Sequence, residues 1–536
     1  ADVLFTDVYL NEKQPKFYDE PKVMYLDIEV YSDTGKFPLP KEAKHPICGI
    51  SFADNYESNY TTLFLDKKQK DIEKIDSKIW INRITKKSHI WKIHTYNSEI
   101  DLLNKFLTYT LRMNPDILTG WYVDFFDMPY IINRMKNLGV NYQLLSPLRY
   151  VDVPEPFETM RGTLIKKPPR IKGRYLFDLL PAYRLLHGAE LSGNDLDTIS
   201  DLELGVKKVE YKGNLFQLYL KDKELFKEYN MSDVELCIEL DKKISIISKF
   251  YRLSKFIKCS LDKTVLNSRM LDMFNLQYAK HIRKIALPSK DIHESRAYKG
   301  AIVLEPKSGI HKNIIVLDLN RIYPNIILSY NMSPETLVIN PDKNDKNIMV
   351  IDDDIGFRQD IDGFCPDTLK TLYKLRDEKK AVIKDIKDVN SDEYKKAKDD
   401  EQYVKDLTNS YYGDLGFVGS RLYNLNIAES VTKIGRRVIE WCFKKMKERG
   451  YEILYTDTDS IFLYSKSKEF DDIVKEGYDI ENYVNESMNE FATLYNIKSH
   501  QFVIGFEKIF DTLVFVKKAT GETAKKKYFG LISYLD

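Results

Sequence analysis

Residues 455–462 read Tyr-Thr-Asp-Thr-Asp-Ser-Ile-Phe, which sets Asp457 and Asp459 one residue apart between apolar, β-prone runs. Burying an unpaired carboxylate is expensive. The flanks Ile453-Leu454-Tyr455 and Ile461-Phe462 predict two short strands, which puts both acids at a hairpin tip where they can reach a common cation. A third acid, Asp318 in VLDLNRIYP, ends another apolar strand, and the residues after it enter a turn whose amides can hold a phosphate. A second set begins at Asp27 and Glu29 in YLDIEV; strand side chains alternate, so both leave one face. Asp127 in GWYVDFFDMPYI and Asp233 in EYNMSDVEL have similarly apolar surroundings, with no basic partner nearby in sequence. Such acids suit two hard cations roughly 3.5–4 Å apart, a device that activates water and stabilises the leaving oxygen of a phosphodiester. Tyr229, one helical turn before Asp233, can orient that water. Taken singly, each Asp is more often a turn or helix-cap residue, so the weight rests on the two sets.

These acids need rigid elements beneath them. From Lys22 to about Leu65 the pattern is strand, turn, strand; helical stretches Glu99 to Arg112 and Pro129 to Leu138 then bracket the apolar pair Ile117-Leu118. The first ~250 residues therefore read as α/β. Residues 162–174, GTLIKKPPRIKGR, read as a basic loop or hairpin, Glu224 to Leu253 as helical, and 254–310 as mixed connecting sequence. Residues 313–317 predict a buried strand with a helix starting near Tyr323-Pro324, and 426–448 a helix ahead of the acidic hairpin. Between them, 366–389 and 395–412 are charged, Gly-free helical segments around the turn DVNSD. Arg376 and Lys380 lie four apart on one face, and Lys405, Asn409 and Tyr412 share another. Cations so placed can grip a triphosphate, and a Tyr can pack beneath a base. A charged helical hairpin is by itself more often a solvated surface.

Composition narrows the classes. The 536 residues exceed what one hydrophobic core supports, so three or four domains are expected. Lys+Arg 82 against Asp+Glu 81 leaves a net charge of +1, so an anionic partner must be met by local patches. The five cysteines (Cys48, Cys237, Cys259, Cys365, Cys442) form no C-x-x-C and do not cluster with histidines, which argues against structural zinc and for a reducing compartment. No apolar stretch approaches the ~20 residues of a membrane span, and the acidic N-terminus lacks signal-peptide character. A soluble, cytoplasmic or host-intracellular protein is expected.

The stretches DLNRIYPNII, KDLTNSYYGDLG, YTDTDS and KKKYFG, in that order, resemble the polymerase motifs of family B (polymerase-α-like) replicative DNA polymerases, including phage and viral members. Ahead of them, DIE, WYVDFFD and YNMSD resemble that family's three 3′–5′ exonuclease motifs. The resemblance implies DNA-templated DNA synthesis from dNTPs on a primer-template, with proofreading and two Mg²⁺ (or Mn²⁺) per active site. It implies that Asp318 and Asp459 bind the polymerase metals with Asp457 beside them, and that Asp27, Glu29, Asp127 and Asp233 bind the exonuclease metals. Tyr323 matches the residue that excludes a ribose 2′-OH. Arg376, Lys380, Lys405 and Asn409 match the residues that hold the triphosphate, while Tyr412 and Gly413 match those against the nascent base pair. Lys525, Lys526 and Tyr528 match duplex contacts, and Tyr298 and Gly300 match a segment that guides template between the two sites.

The implied architecture is multidomain α/β: an N-terminal remnant (1–21), an RNase H-like exonuclease domain (22–250), a connecting segment (251–310), a ferredoxin-like palm in two parts (311–350 and 416–536) and helical-hairpin fingers (351–415). A thumb is expected on a separate chain, with a sliding clamp as a further partner, or to be missing from a trimmed chain. Three positions depart from the family: Arg321 where a small residue is usual, Thr456 where Gly is usual, and Tyr122 where Asn is usual. Arg321 is expected to act through its backbone amide, and Thr456 to narrow the space beside the primer terminus. The alternatives are an exonuclease with an impaired polymerase half and a non-catalytic DNA-binding paralogue.

Overall fold

The run VMYLDIEV is buried along almost its whole length, as befits a strand covered on both faces. The computed structural model describes residues 20–32, 36–56, 60–158, 164–187, 193–291, 296–517 and 523–535. The expected N-terminal remnant thus lies almost wholly outside the described residues. Two compact units meet in sequence at Leu266 and Asn267.

In the first unit, β1 (Val23–Val30), β2 (Ile47–Asp54), β3 (Tyr60–Leu65), β4 (Glu73–Ile81), β5 (Ser88–Tyr96), β6 (Ile117–Gly120) and β7 (Tyr175–Asp178) form one mixed sheet, ordered β7-β6-β1-β2-β3-β5-β4. This is the expected α/β, RNase H-like arrangement. β1 pairs antiparallel with β2 and parallel with β6, so its two acids issue from the middle of the sheet. Helix α1 (Glu99–Met113) buries Leu102, Leu103, Phe106 and Leu107 and stops at Asn114, whose left-handed backbone (φ 45°) closes the last turn. Helix α2 (Asp127–Asn137) follows, and α3 (Lys223–Ile244) crosses β1 and β2. The Asp222 side chain caps α3 by accepting the Leu225 amide, and Ser245 at φ 60° separates it from α4 (Ile246–Ile257). The approach of α3 to the sheet requires glycine at 49, where a Cβ would lie 2.9 Å from Asn230 Oδ1. Of the expected basic hairpin, 162–163 lie outside the described residues. The rest divides into two short ladders, Leu164–Ile165 against Phe157–Glu158 and Arg170–Ile171 against Val151–Asp152.

The second unit opens with α5 (Asn267–Tyr278). Its centre is β8 (Gly309–Leu319), which leads through a tight turn into α6 (Ile322–Ser329). Strands β9 (Leu337–Ile339), β10 (Ile348–Val350) and β11 (Ile355–Arg358) form a separate three-stranded sheet. That sheet straddles the palm-fingers boundary expected at 350/351, because β11 lies after it and pairs with β9 and β10, both of which lie before it. The helical hairpin itself is α7 (Phe364–Asp385) and α8 (Asp392–Leu415), with Ser391 capping α8 through the Tyr394 amide. Next come α9 (Leu425–Glu448), β12 (Ile453–Asp457), β13 (Ser460–Tyr464), α10 (Phe470–Leu494), β14 (Ile504–Lys517) and β15 (Thr523–Leu535). The five strands form an antiparallel sheet ordered β12-β13-β8-β14-β15, the expected palm, with α9 packed on α10 and α10 on β8 and β14. The connecting segment 251–310 divides between the two units, and its last part lies along the edge of β12, with Val303 bridging Asp457 and the Leu304 amide donating to the Thr456 carbonyl.

Candidate active sites

In the first unit, one carboxylate oxygen from each of Asp27, Glu29 and Asp233 lies within 4.8 Å of the other two. The helix holds the strand acid directly: Asn230 Nδ2 donates to Asp27 Oδ2 at 2.6 Å, while Ser51 on β2 donates to Asn230 Oδ1 at 2.6 Å. Burial first, and then repulsion from neighbouring acids, shifts the two strand acids upward. Glu29 rises to about 8, and Asp27 stands well above the usual carboxylate range. Asp233 Oδ2 accepts the Lys208 ammonium at 2.6 Å, yet Asp233 Oδ1 is buried with no hydrogen-bond partner. An orphaned carboxylate oxygen among three acids fits a hard divalent cation. Asp127 is not the fourth member of this trio: its carboxylate accepts the Ile28 amide at 3.1 Å. It remains close enough to repel Asp233, and burial lifts it to about 7. The basic partner comes from outside the local sequence, Lys208 lying 25 positions from Asp233. Its ammonium also lies 5.5 Å from the Tyr229 ring centre, and Tyr229 packs edge-on against Tyr211.

A cavity of about 870 Å³ opens over this cluster and is lined also by Tyr122, Lys208 and Tyr229. Tyr122 adopts φ 67°, a left-handed conformation that Asn tolerates better than a bulky residue. Asp178, at the end of β7, pins that turn by accepting the amides of Tyr122 at 3.0 Å and Asp124 at 3.1 Å.

In the second unit, Asp318 pairs in register with Ser460, whose hydroxyl donates to Asp318 Oδ1 at 2.6 Å. Asp457 and Ser460 are partners, so Thr458 and Asp459 form a two-residue hairpin loop, with Thr458 at φ 61°. A β-branched residue there is strained, a feature that concentrates at functional sites. The Leu319 amide donates to the Asp459 carbonyl and ties this loop to β8. Burial and the neighbouring Asp318 raise Asp459 to about 6. Asp457 is handled differently: it pairs with the Lys526 ammonium at 2.9 Å and accepts the Thr458 hydroxyl. Asp457, expected beside the metals, and Lys526, expected at the duplex, thus form an ion pair with each other. Thr456 does not narrow a groove; it is fully buried and its hydroxyl donates to the Ser460 carbonyl at 2.8 Å.

A cavity of about 770 Å³ is lined by Asp318 and Asp459 and by Arg376, Lys380, Lys405 and Asn409 from the helical hairpin. Tyr323 faces it, its ring 4.3 Å from that of Tyr412. The Tyr412 hydroxyl meets that of Tyr298 at 2.9 Å. A Cβ at residue 435 would sit 3.2 Å from the Tyr323 ring, so Gly435 lets α9 back it closely. Arg436 donates to the carbonyls of Lys299 at 2.8 Å and Gly300 at 2.6 Å, fixing the segment that carries Tyr298. Space beside Gly300 and Gly413 is open within 4 Å of a notional Cβ. Tyr528 packs its ring on Phe462 and Phe515 and stays partly exposed, while the Lys525 side chain lies outside the described residues.

The profile of DNA polymerase family B matches residues 266–535, and that of the family B exonuclease domain matches residues 2–185. The chain belongs to DNA polymerase family B. Among family B relatives it is 26% identical to the DNA-directed DNA polymerase of Escherichia phage RB69, over 89% of this chain and 61% of that protein. It is 28% identical to the DNA polymerase of Pyrococcus glycovorans, over 91% and 59%. The solved family B DNA polymerase of Pyrobaculum calidifontis superposes with a TM-score of 0.68 at 25% identity, covering 97% of this chain and 60% of that one. The chain therefore spans about three fifths of the length of these family B relatives.

Sequence reasoning missed several residues that shape the two sites. Lys208, Asn230, Asp178 and Arg436 act across long sequence separations; of these, Asn230 lies within the YNMSD stretch and Asp178 ends an apolar strand like the other acids.

Proposed function

We propose that this chain adds deoxynucleotides to a primer 3′-OH under template direction at the palm cavity and removes 3′-terminal nucleotides in the first unit. The carrying observation is the palm cavity, which joins a repelling carboxylate pair, a set of cations and a half-buried aromatic gate in one space. Mg²⁺ or Mn²⁺, held by Asp318 and Asp459 in one site and by Asp27, Glu29 and Asp233 in the other, would supply the Lewis-acid charge that phosphoryl transfer needs. The protein's own residues position the reactants. Lys380, Lys405 and Arg376 hold the triphosphate, Asn409 orients it, and Tyr323, braced by Tyr412 and Gly435, closes the space that a ribose 2′-OH would need. In the exonuclease cavity Tyr229 orients the attacking water and Lys208 holds Asp233 in place.

Lys526 and Tyr528, with Tyr298, Gly300 and Gly413, contribute the primer-template surface in this reading. A thumb-bearing chain and a sliding clamp are proposed as partners; their addition should raise processivity, and no gain on mixing would remove them from the account. Primer extension in Mg²⁺ on matched and mismatched 3′ ends tests the whole reading. Extension with dNTPs and shortening without them is the expected result. Shortening without extension would favour an exonuclease with an impaired polymerase half, and neither activity would refute both assignments. Among the described residues no helix is long and apolar enough to cross a membrane.

A further inference from the structure

Arg321 stands apart from the other cations of the palm cavity. It lies in the turn between β8 and α6 with φ 49° and ψ 45°, a left-handed backbone that costs a non-glycine residue roughly 1–2 kcal/mol. Strain of this kind persists where the surroundings enforce it, and here it places the side chain in the wall of the cavity that holds Asp318 and Asp459. The guanidinium lies 4.6 Å from the ring centre of Tyr373. That platform is itself built. The Tyr373 hydroxyl donates to Asn325 Oδ1 at 2.8 Å, and Asn325 Nδ2 donates to the carbonyls of Asn320 at 2.9 Å and Gln501 at 2.8 Å. The guanidinium also hydrogen-bonds the Tyr373 side chain, and with five N–H donors it keeps others for phosphate oxygens.

Charge pairing separates the candidates further. Arg376, which lines the same cavity, is buried and gives its Nε to Glu401 across the helical hairpin, which offsets much of its charge. Among the described residues Arg321 has no carboxylate within ion-pair distance, and neither have Lys380 and Lys405. The cavity therefore presents three cations with no ion-pair partner among the described residues, one of them from the palm turn and packed on Tyr373 of the hairpin.

We propose that Arg321 is a nucleotide-binding residue in its own right, its guanidinium gripping the phosphate tail of the incoming nucleotide, and later pyrophosphate, together with Lys380 and Lys405. This replaces the expectation that only the backbone amide of residue 321 matters. The proposal rests on the polymerase reading of the cavity.

The test uses the full chain in single-nucleotide primer extension, with R321S, R321G and R321K. R321S should raise KM for dNTP about 10–100-fold, the scale of a lost charge-assisted contact, with kcat changed far less and KM for primer-template unchanged. Inhibition by inorganic pyrophosphate should weaken in parallel, a readout that a purely structural role would not move. R321K should recover part of the loss. R321G relieves the backbone strain, so it should match or exceed wild type in thermal stability while sharing the kinetic defect, which separates charge from folding. Unchanged KM for dNTP and unchanged pyrophosphate inhibition in both R321S and R321G would overturn the proposal. Calorimetry of inorganic tripolyphosphate binding to the DNA-free chain separates the two readings. Arg321-dependent binding by a chain that never extends primers would sink the polymerase reading and support this one. Robust extension with Arg321-independent binding would do the reverse.

Discussion

The two acidic sites solve the same chemical problem with opposite electrostatics. In the first unit Asp27, Glu29 and Asp233 are gathered within 4.8 Å and largely buried, and Lys208, paired with Asp233, offsets them. In the second, Asp318 and Asp459 line an open cavity together with the hairpin cations, and the third acid, Asp457, is already paired with Lys526. In the proposed reading the buried trio takes a cation before any nucleic acid arrives, because its carboxylates repel one another and one oxygen is orphaned. In the same reading the palm pair needs the substrate's own phosphates to bring cations and anions into register. One site is organised by the fold and the other is completed by its ligand.

The largest expected effects test whether the two sites are independent. Asp459→Ala should reduce primer extension by at least ~10³-fold, equivalent to ~4 kcal/mol of lost charge stabilisation, and leave nucleotide removal intact. Asp27→Ala should do the opposite, and gel-resolved extension and degradation assays on both variants would break the comparison if either change silenced both activities. Lys208→Met removes the internal counter-charge, so exonuclease turnover should fall about 10–100-fold, the usual cost of losing a residue that orients a metal ligand. Extension by the same variant should be unchanged.

The pH response sharpens the contrast. Glu29, raised to about 8, and Asp127, raised to about 7, hold protons that unfolded carboxylates release near pH 4. The folded chain binds those protons more tightly than the unfolded chain, so this contribution to stability is complete below the unfolded value and is lost as pH climbs through the folded ones. In EDTA the melting temperature of the first unit should therefore fall between pH 6 and 8, and Mg²⁺ should raise it more at pH 8 than at pH 6. Asp459, raised to about 6, gives the same sign over a narrower interval. Glu29→Gln should flatten the slope, as followed by scanning calorimetry. The smallest effect belongs to the strained turn. Tyr122→Asn should stabilise the chain by about 1 kcal/mol, a gain of roughly 2–4 °C, by suiting φ 67° better.

Much of this was legible in the sequence wherever the physics is local. Alternation along YLDIEV placed Asp27 and Glu29 on one face, and helical spacing placed Arg376 with Lys380. The α/β first half and the helical hairpin followed from periodicity. What stayed hidden depends on contacts between distant segments. Lys208 is 25 positions from the acid it pairs with, Glu401 reaches Arg376 only once the hairpin folds, and Lys526 on β15 finds Asp457 at the end of β12. The direction of Thr456, into the hairpin instead of the groove, depends on which face of β12 the palm sheet covers. The three-stranded sheet at 337–358 was missed because each of its strands is only three or four residues long.

The claim that one acidic site is complete without nucleic acid and the other is not can be measured directly. Calorimetric titration of Mn²⁺ into the DNA-free chain should reveal a binding event that Asp27→Ala abolishes and Asp459→Ala leaves in place. Loss of that event in Asp459→Ala, with its retention in Asp27→Ala, would contradict the account.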